Sequence, residues 1–473
     1  MRFAKNLAWL VVSEGVSRVV QFVALAYLAR VLGTAGLGSF NWVQSVGLTL
    51  ALLPNFGLNE YGILKISPNR SAANVGQVAS DVLSFRLLLG LLSVVALAVS
   101  TVTIPSLSGY RDLLLAAAVL LLATVFTFDW LYTAVERQAI VGMVRLFVRL
   151  SYLAATLIFV RSPDDVLLAL LLFCGAELGM SATLFALSFQ ISPWTFSWAG
   201  AVRTRTVLQE AWPLAFYVVN AGLLYYVDLA IIGLRLPMED AGLYAGAMRI
   251  VTGMVGLKFL IGQLIYPKLA RRVGSAADAP ELARLVCVID RYGLMLGIGL
   301  LTVTVLFARE IVWFVLGSQF VAGWWVLALL SVVLIAEFGW LAYPYLAISM
   351  NFRVYAAIMV FMGVLKIGSL YVMLPKGGLL AAALIYVACS LFVCLASIAY
   401  VTRRLVTVPV FRLVAMPLAF VAAVLALGLT DASVGFRLAL SGVVIAASAL
   451  YARSLGQQLS WSGVKNDLRL MNT

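Results

Sequence analysis

Arg18 stands near the middle of an otherwise apolar stretch, residues 9 to 29, with Glu14 four positions before it and Gln21 three after. In a helix those spacings put all three side chains on one face. The other face, with Val11, Val16, Val20 and Val23, is apolar. A guanidinium presents a planar fork of N–H donors that matches two phosphate oxygens, so this strip suits an anionic cargo. The same strip also reads as an ion pair, Glu14 with Arg18, that joins its helix to a neighbour.

Seven more basic residues lie within apolar stretches: Arg86, Arg145, Arg149, Arg249, Lys258, Arg291 and Lys366. At the centre of a lipid-facing helix each costs about 2.5 to 3.5 kcal/mol, so the eight together would cost on the order of 20 kcal/mol. They cannot all face lipid. Arg86, Arg145 and Arg291 lie near stretch ends and are placed to snorkel toward the headgroups. Arg18, Arg149, Arg249 and Lys366 form the candidate set for an anionic cargo. The acidic set is Glu14, Glu60, Asp129, Glu177, Asp228, Asp290 and Glu337, which leaves the stretches nearly neutral overall. Of these, Glu14, Asp228 and Glu337 are candidate coupling or structural carboxylates: Asp228 either latches Arg249 or lines a cavity, and Glu337 either binds an ion or proton or is a hydrogen-bonded buried acid. Tyr225, Tyr226, Trp340, Tyr343 and Tyr345 offer aromatic planes on which a sugar could stack.

Histidine is absent, so any proton chemistry falls to carboxylates. Cys174, Cys287, Cys389 and Cys394 lack metal-ligand spacing and read as small apolar core residues. No catalytic residue, metal or cofactor is expected.

Positioning these charges requires helices that cross a membrane. The 473 residues are 63% hydrophobic and only 11% charged, against roughly 25% charged in a soluble chain. Apolar runs of about 20 residues recur throughout, each long enough to span a hydrocarbon core. The fold class is an all-α polytopic membrane protein of about 14 helices. The spans fall at 9–29, 41–63, 82–104, 113–133, 139–160, 166–190, 210–234, 243–267, 285–308, 323–348, 354–374, 378–401, 412–430 and 434–452. The basic start, Met1 to Lys5, resembles a signal-peptide n-region, but Glu14, Arg18 and Gln21 mark the apolar stretch after it as a retained span. With the N-terminus inside, inner segments carry eighteen Lys and Arg and outer loops seven, so both termini are expected in the cytoplasm.

Outer loops are short, and the acidic pair Asp164-Asp165 has no cluster around it, which disfavours a membrane-embedded glycosyltransferase or polymerase. The expected organisation is an N-terminal six-helix bundle at 1–191 and an interfacial linker at 192–209 containing Trp194, Trp198, Arg203 and Arg205. A second six-helix bundle at 210–405, a helix pair at 406–452 and a cytoplasmic tail at 453–473 complete the chain. Pro54, Pro213, Pro267 and Pro344 are placed to kink spans. An internal repeat supports two halves. Leu32-Gly-Thr-Ala-Gly-Leu-Gly38-Ser-Phe40 comes after the first span, and Leu236-Pro-Met-Glu-Asp-Ala-Gly242-Leu-Tyr244 after the seventh, 204 residues later.

These elements, with Asp228, Ala247-Met-Arg249-Ile and Leu316-Gly317-x-x-Phe320, resemble those of the polysaccharide repeat-unit flippases, the Wzx-like branch of the multidrug/oligosaccharidyl-lipid/polysaccharide exporter superfamily. The resemblance covers about residues 1 to 405. It implies two six-helix bundles around a central cavity in the bacterial inner membrane. It further implies a non-enzymatic flippase for undecaprenyl-diphosphate-linked oligosaccharides working by alternating access, in O-antigen or exopolysaccharide synthesis. Implied partners are the lipid-linked oligosaccharide, membrane lipid, and a polysaccharide polymerase with chain-length proteins, but no nucleic acid. A cation-coupled multidrug exporter of the same superfamily is the alternative.

Overall fold

The computed structural model describes residues 2–192, 194–272 and 279–403. Within them every expected span between 9 and 401 is largely helical, those at 41–63, 113–133 and 323–348 with interruptions, and no strand occurs among the described residues. Hydrocarbon offers backbone N–H and C=O groups no partners, so a spanning segment must satisfy them internally, as a helix does. The expected pair at 412–430 and 434–452, and the tail, lie outside the described residues. By contacts the chain forms two compact units, Met1–Ala245 and Gly246–Thr473.

In the first unit, α1 (Arg2–Asn55) is two helices meeting at Gly33, whose φ of 70° suits glycine. A second break, at Pro54, Phe56 (φ 32°) and Gly57 (φ 69°), separates α1 from α2 (Leu58–Ile66). Next come α3 (Ala72–Thr103) and α4 (Arg111–Val125), then α5 (Asp129–Ala134), which resumes after a non-helical step at 126–128. The remaining helices are α6 (Gln138–Phe159), α7 (Val166–Ile191) and α8 (Ala201–Arg235). Helix α1 packs against α4, α6 and α8.

The internal repeat is visible as a reciprocal contact. A Cβ on Gly38 would collide with the Met238 carbonyl oxygen, and one on Gly242 with that of Thr34. Since 242 − 38 and 238 − 34 both equal 204, the two turns meet through equivalent positions, and only glycine lets the backbones approach so closely. Further along, Trp42 lies against Gly233 and donates from Nε1 to the Ala230 carbonyl at 3.1 Å.

The connection before α8 runs along α3. Ser80 Oγ donates to the Thr195 carbonyl and accepts from Ser197 N–H, while Ser84 Oγ accepts from Ala199 N–H. Trp198 is exposed, as an interfacial anchor would be, but Trp194 is not. It is buried between the rings of Phe128 and Phe189, with centroids 5.9 and 4.8 Å away. The reason is apolar: Trp194 completes an aromatic core cluster with Phe128, Trp130 and Phe185.

Helix α9 (Met238–Arg272) leads into the second unit, which contains α10 (Ala279–Leu306), α11 (Ala308–Leu316), α12 (Trp324–Leu330), α13 (Ala342–Met350) and α14 (Phe352–Thr402). Helix α14 turns at Gly378 (φ 54°), three residues after Pro375. Between α12 and α13 the chain departs from α geometry, with a π-helical turn at Ile335–Gly339, and every residue from 331 to 344 is buried.

Candidate functional site

The first unit contains two charged clusters. In one, Arg149 of α6 pairs with Glu177 of α7 at 2.6 Å, the side chains only 11% and 22% exposed. The Gln21 amide of α1 faces the same guanidinium. With its oxygen on that side it accepts from Arg149 Nε at 2.9 Å and Nη2 at 3.1 Å. Gln21 is itself exposed, and Arg18, one turn earlier, is half-buried. A polar strip left open within a span calls for water or a polar cargo rather than lipid. The Glu14 side chain, one further turn back, lies outside those described.

The second cluster corrects an expectation. Arg86 does not snorkel; it is 1% exposed and spans two helix breaks of the unit, those at 54–57 and 126–128. Its guanidinium donates to the Thr127 carbonyl, at the break between α4 and α5, and to Asn59 Oδ1, in the first turn of α2. Glu60 and Asp129, in the first turns of α2 and α5, add attractive charge. The breaks explain this placement, because interrupted helices leave carbonyls and positive N-terminal dipole ends that collect cations and carboxylates respectively. Pro54 was visible in the sequence as a kink site; the break at Gly57, and that Arg86 crosses from α3 to meet it, were not.

Asp228, 1% exposed on α8, accepts a hydrogen bond from Tyr244 at 3.2 Å. In the second unit Glu337 sits within the π-helical turn and is paired with Lys258 of α9. The pair leaves both readings of Glu337 open, since a hydrogen-bonded buried acid and a coupling carboxylate can each hold a lysine. Arg249 is exposed on α9. Lys366, by contrast, is 1% exposed, its ammonium 4.8 Å from the centre of the Tyr386 ring across the Gly378 turn. It does not line an open surface.

Two aromatics proposed for sugar stacking are also corrected. Trp340 and Tyr343 have no exposed area, because the bulged segment that carries them is the core of the unit. Tyr343 donates its hydroxyl to Asp290 of α10 at 2.8 Å. The side chain of Tyr225 lies outside those described. Cys174, Cys389 and Cys394 are buried and in no disulfide, as expected of small core residues, and the Cys287 side chain lies outside those described. Among the described residues no group of three or more His, Cys, Asp or Glu is arranged to hold a metal.

The chain is thus a polytopic helical membrane protein with paired charges buried in both units. Residues 3–273 match the family described as polysaccharide biosynthesis protein, and the chain belongs to that family. A "Putative O-antigen transporter" of Shigella dysenteriae is 22% identical over 275 residues, covering 57% of this chain and 68% of the relative. A protein of the same description from Escherichia coli K12 is 23% identical, covering 56% and 64% respectively, so the match spans about two thirds of each relative's length. In fold the chain is similar to the lipid II flippase MurJ in an inward closed conformation. That likeness has TM-score 0.74, 12% identity, and covers 94% of this chain and 98% of MurJ. It is also similar to an inward-facing multidrug resistance MATE transporter, with TM-score 0.58, 13% identity, and coverage of 84% and 94%. These findings bear out the resemblance to the Wzx-like branch of the exporter superfamily.

Proposed function

We propose that this family member is a flippase that moves undecaprenyl-diphosphate-linked oligosaccharide units from the cytoplasmic to the periplasmic leaflet of the bacterial inner membrane. It works by alternating access, with both termini cytoplasmic and no bond-forming chemistry of its own. The observation that carries this reading is the fork of Arg149. Held by Glu177 and Gln21, that guanidinium is oriented in advance, next to the half-buried Arg18 on the same strip. The planar N–H forks of Arg149 and Arg18 suit the paired oxygens of a diphosphate, which favours that cargo over a cationic drug. The relatives described as O-antigen transporters support a saccharide cargo. Arg249, exposed on α9, remains in the proposed diphosphate set; Lys366, enclosed beneath Tyr386, does not.

The test is complementation of a strain lacking the protein, read as surface polysaccharide at matched protein level. Arg18→Ala is expected to reduce export at least tenfold, the equivalent of about 1.4 kcal/mol of lost interaction, with Arg18→Lys intermediate. Full export by Arg18→Ala would remove the proposed role. Drug sensitivity of the deletion strain without loss of polysaccharide would favour the multidrug exporter instead.

A further inference from the structure

Helix α10 lies against the bulged segment in an antiparallel seam. Gly297 faces Leu334, its Cβ position 2.9 Å from that carbonyl oxygen; Gly293 faces the Phe338 carbonyl; and Asp290 faces Tyr343. The spacing 290, 293, 297 puts all three on one helical face. The two glycines bring the backbones together, and the third position is occupied by a carboxyl group that is 5% exposed. Its Oδ2 accepts from Tyr343, while its Oδ1 is enclosed without a hydrogen-bond donor.

Among the described residues, the surrounding charges leave this group uncompensated. From the bulged segment comes Glu337, already paired with Lys258 of α9. From α13 comes Tyr343 itself, and Tyr345 is turned to Gly262. Lys366 of α14 lies over Tyr386. On α10, Arg291 stacks on Tyr292 and Glu281 is exposed in the first turn. On α11, Arg309 stacks on Trp324 and Glu310 is exposed; α12 has no ionisable side chain. An ionised carboxylate here would bury a charge with one neutral donor, whereas a carboxylic acid needs no counterion.

We propose that Asp290 is a proton-binding site: its carboxyl holds one proton on Oδ1 in this conformation, with Tyr343 donating to Oδ2, and the proton exchanges with water during the transport cycle. The proton taken up is the one released, so the cycle balances. The exchange step rests on the flippase reading; the bound proton does not. A π-helical turn beside the site supplies a means of exchange, since such a turn is one residue out of register with an α-helix and its reversal would draw Tyr343 along the seam.

Infrared difference spectroscopy on the full chain in lipid nanodiscs, stepped from neutral to alkaline pH, tests the bound proton. The wild type is expected to show a protonated-carboxyl band at neutral pH that is absent from Asp290→Asn. Tyr343→Phe should keep the band but shift it, because it removes the donor to that carbonyl, and this variant decides the matter if Asp290→Asn fails to accumulate. A wild-type spectrum without the band, or a band unchanged in both variants, overturns the proposal. The exchange step is read in cells as surface polysaccharide with and without an ionophore that collapses the pH gradient. Wild-type export should fall several-fold, and residual export by Asp290→Asn should not respond. Normal, gradient-sensitive export by Asp290→Asn would refute the exchange step and leave the flippase reading intact. No export of saccharide by either protein would refute the flippase reading, while the infrared result would still decide the proton site.

Discussion

Both units interrupt their spans, but they fill the interruptions with opposite charge. In the first, the breaks at 54–57 and 126–128 are spanned by a buried cation, Arg86, surrounded by acceptors: a carbonyl, an amide oxygen and two nearby carboxylates. In the second, the break between α12 and α13 is met by two buried acids. Lys258 compensates Glu337, whereas among the described residues Asp290 has only the neutral Tyr343. The difference arises from pKa. Arginine does not give up its proton in a protein, so it must be matched with acceptors and becomes a strut. A carboxyl can become neutral, so it tolerates a site with too few partners, and the site can change state.

The sharpest way to break this comparison is to remove the strut. Arg86→Met leaves Glu60, Asp129 and Asn59 without their cation, and losing one side of a buried pair typically costs about 3 to 5 kcal/mol. Folded yield and thermal midpoint in detergent should collapse for Arg86→Met, whereas Asp290→Asn should fold. Comparable loss for both would mean that the two units do not differ in this way.

A smaller effect separates the seam of α10 from the rest of that helix. Gly293→Ala drives a methyl group into the Phe338 carbonyl and should cost about 1 to 3 kcal/mol, as overpacking does. Gly299→Ala has open space and should be neutral or gain up to about 1 kcal/mol from helix propensity. Equal midpoints for the two variants would argue against a tight seam at the bulge.

The smallest effect belongs to a pair outside the spans. Arg70 donates to Glu136 at 2.6 Å, and this hydrogen bond, with the charge of Arg70, holds the Glu136 carboxyl below its ordinary 4.5. A depressed folded value means the contribution is complete above that ordinary value and is lost as pH falls through the lower, folded one. Both groups are exposed, so salt screens them. Arg70→Ala should therefore lower the thermal midpoint slightly at pH 7 and low salt, with the difference shrinking as pH falls toward 3. A difference that persists undiminished at pH 3 would point to a role other than this pairing.

Some of the site was legible from spacing alone. Arg18 and Gln21 share a helical face because they lie three residues apart, and Pro54 was placed to kink its span, whereas the breaks at Gly33 and Gly57 were not read. Even the contact between the repeated turns was foreshadowed, since the glycines that make it were the residues that defined the repeat. Arg86 was misread because a position near a span end permits snorkelling, and nothing local says that two other helices break beside it. Trp340 and Tyr343 were misread because an aromatic side chain in a span looks the same whether it faces a cavity or the core.

What the sequence by itself determined was the class: helical, polytopic, with charges inside the membrane. Hydrocarbon leaves a backbone no other structure to adopt over 20 apolar residues, so hydropathy is sufficient. What only the tertiary structure decided was which charges meet. Arg86 reaches 41 residues along the chain to Thr127, Lys258 reaches 79 to Glu337, and Tyr343 reaches back 53 to Asp290. Those pairings depend on the rotation and register of packed helices, which no local spacing encodes. The same holds for the strip of Arg18 and Gln21: the sequence places it on one face, and only the packing of α1 against α6 brings Arg149 to it.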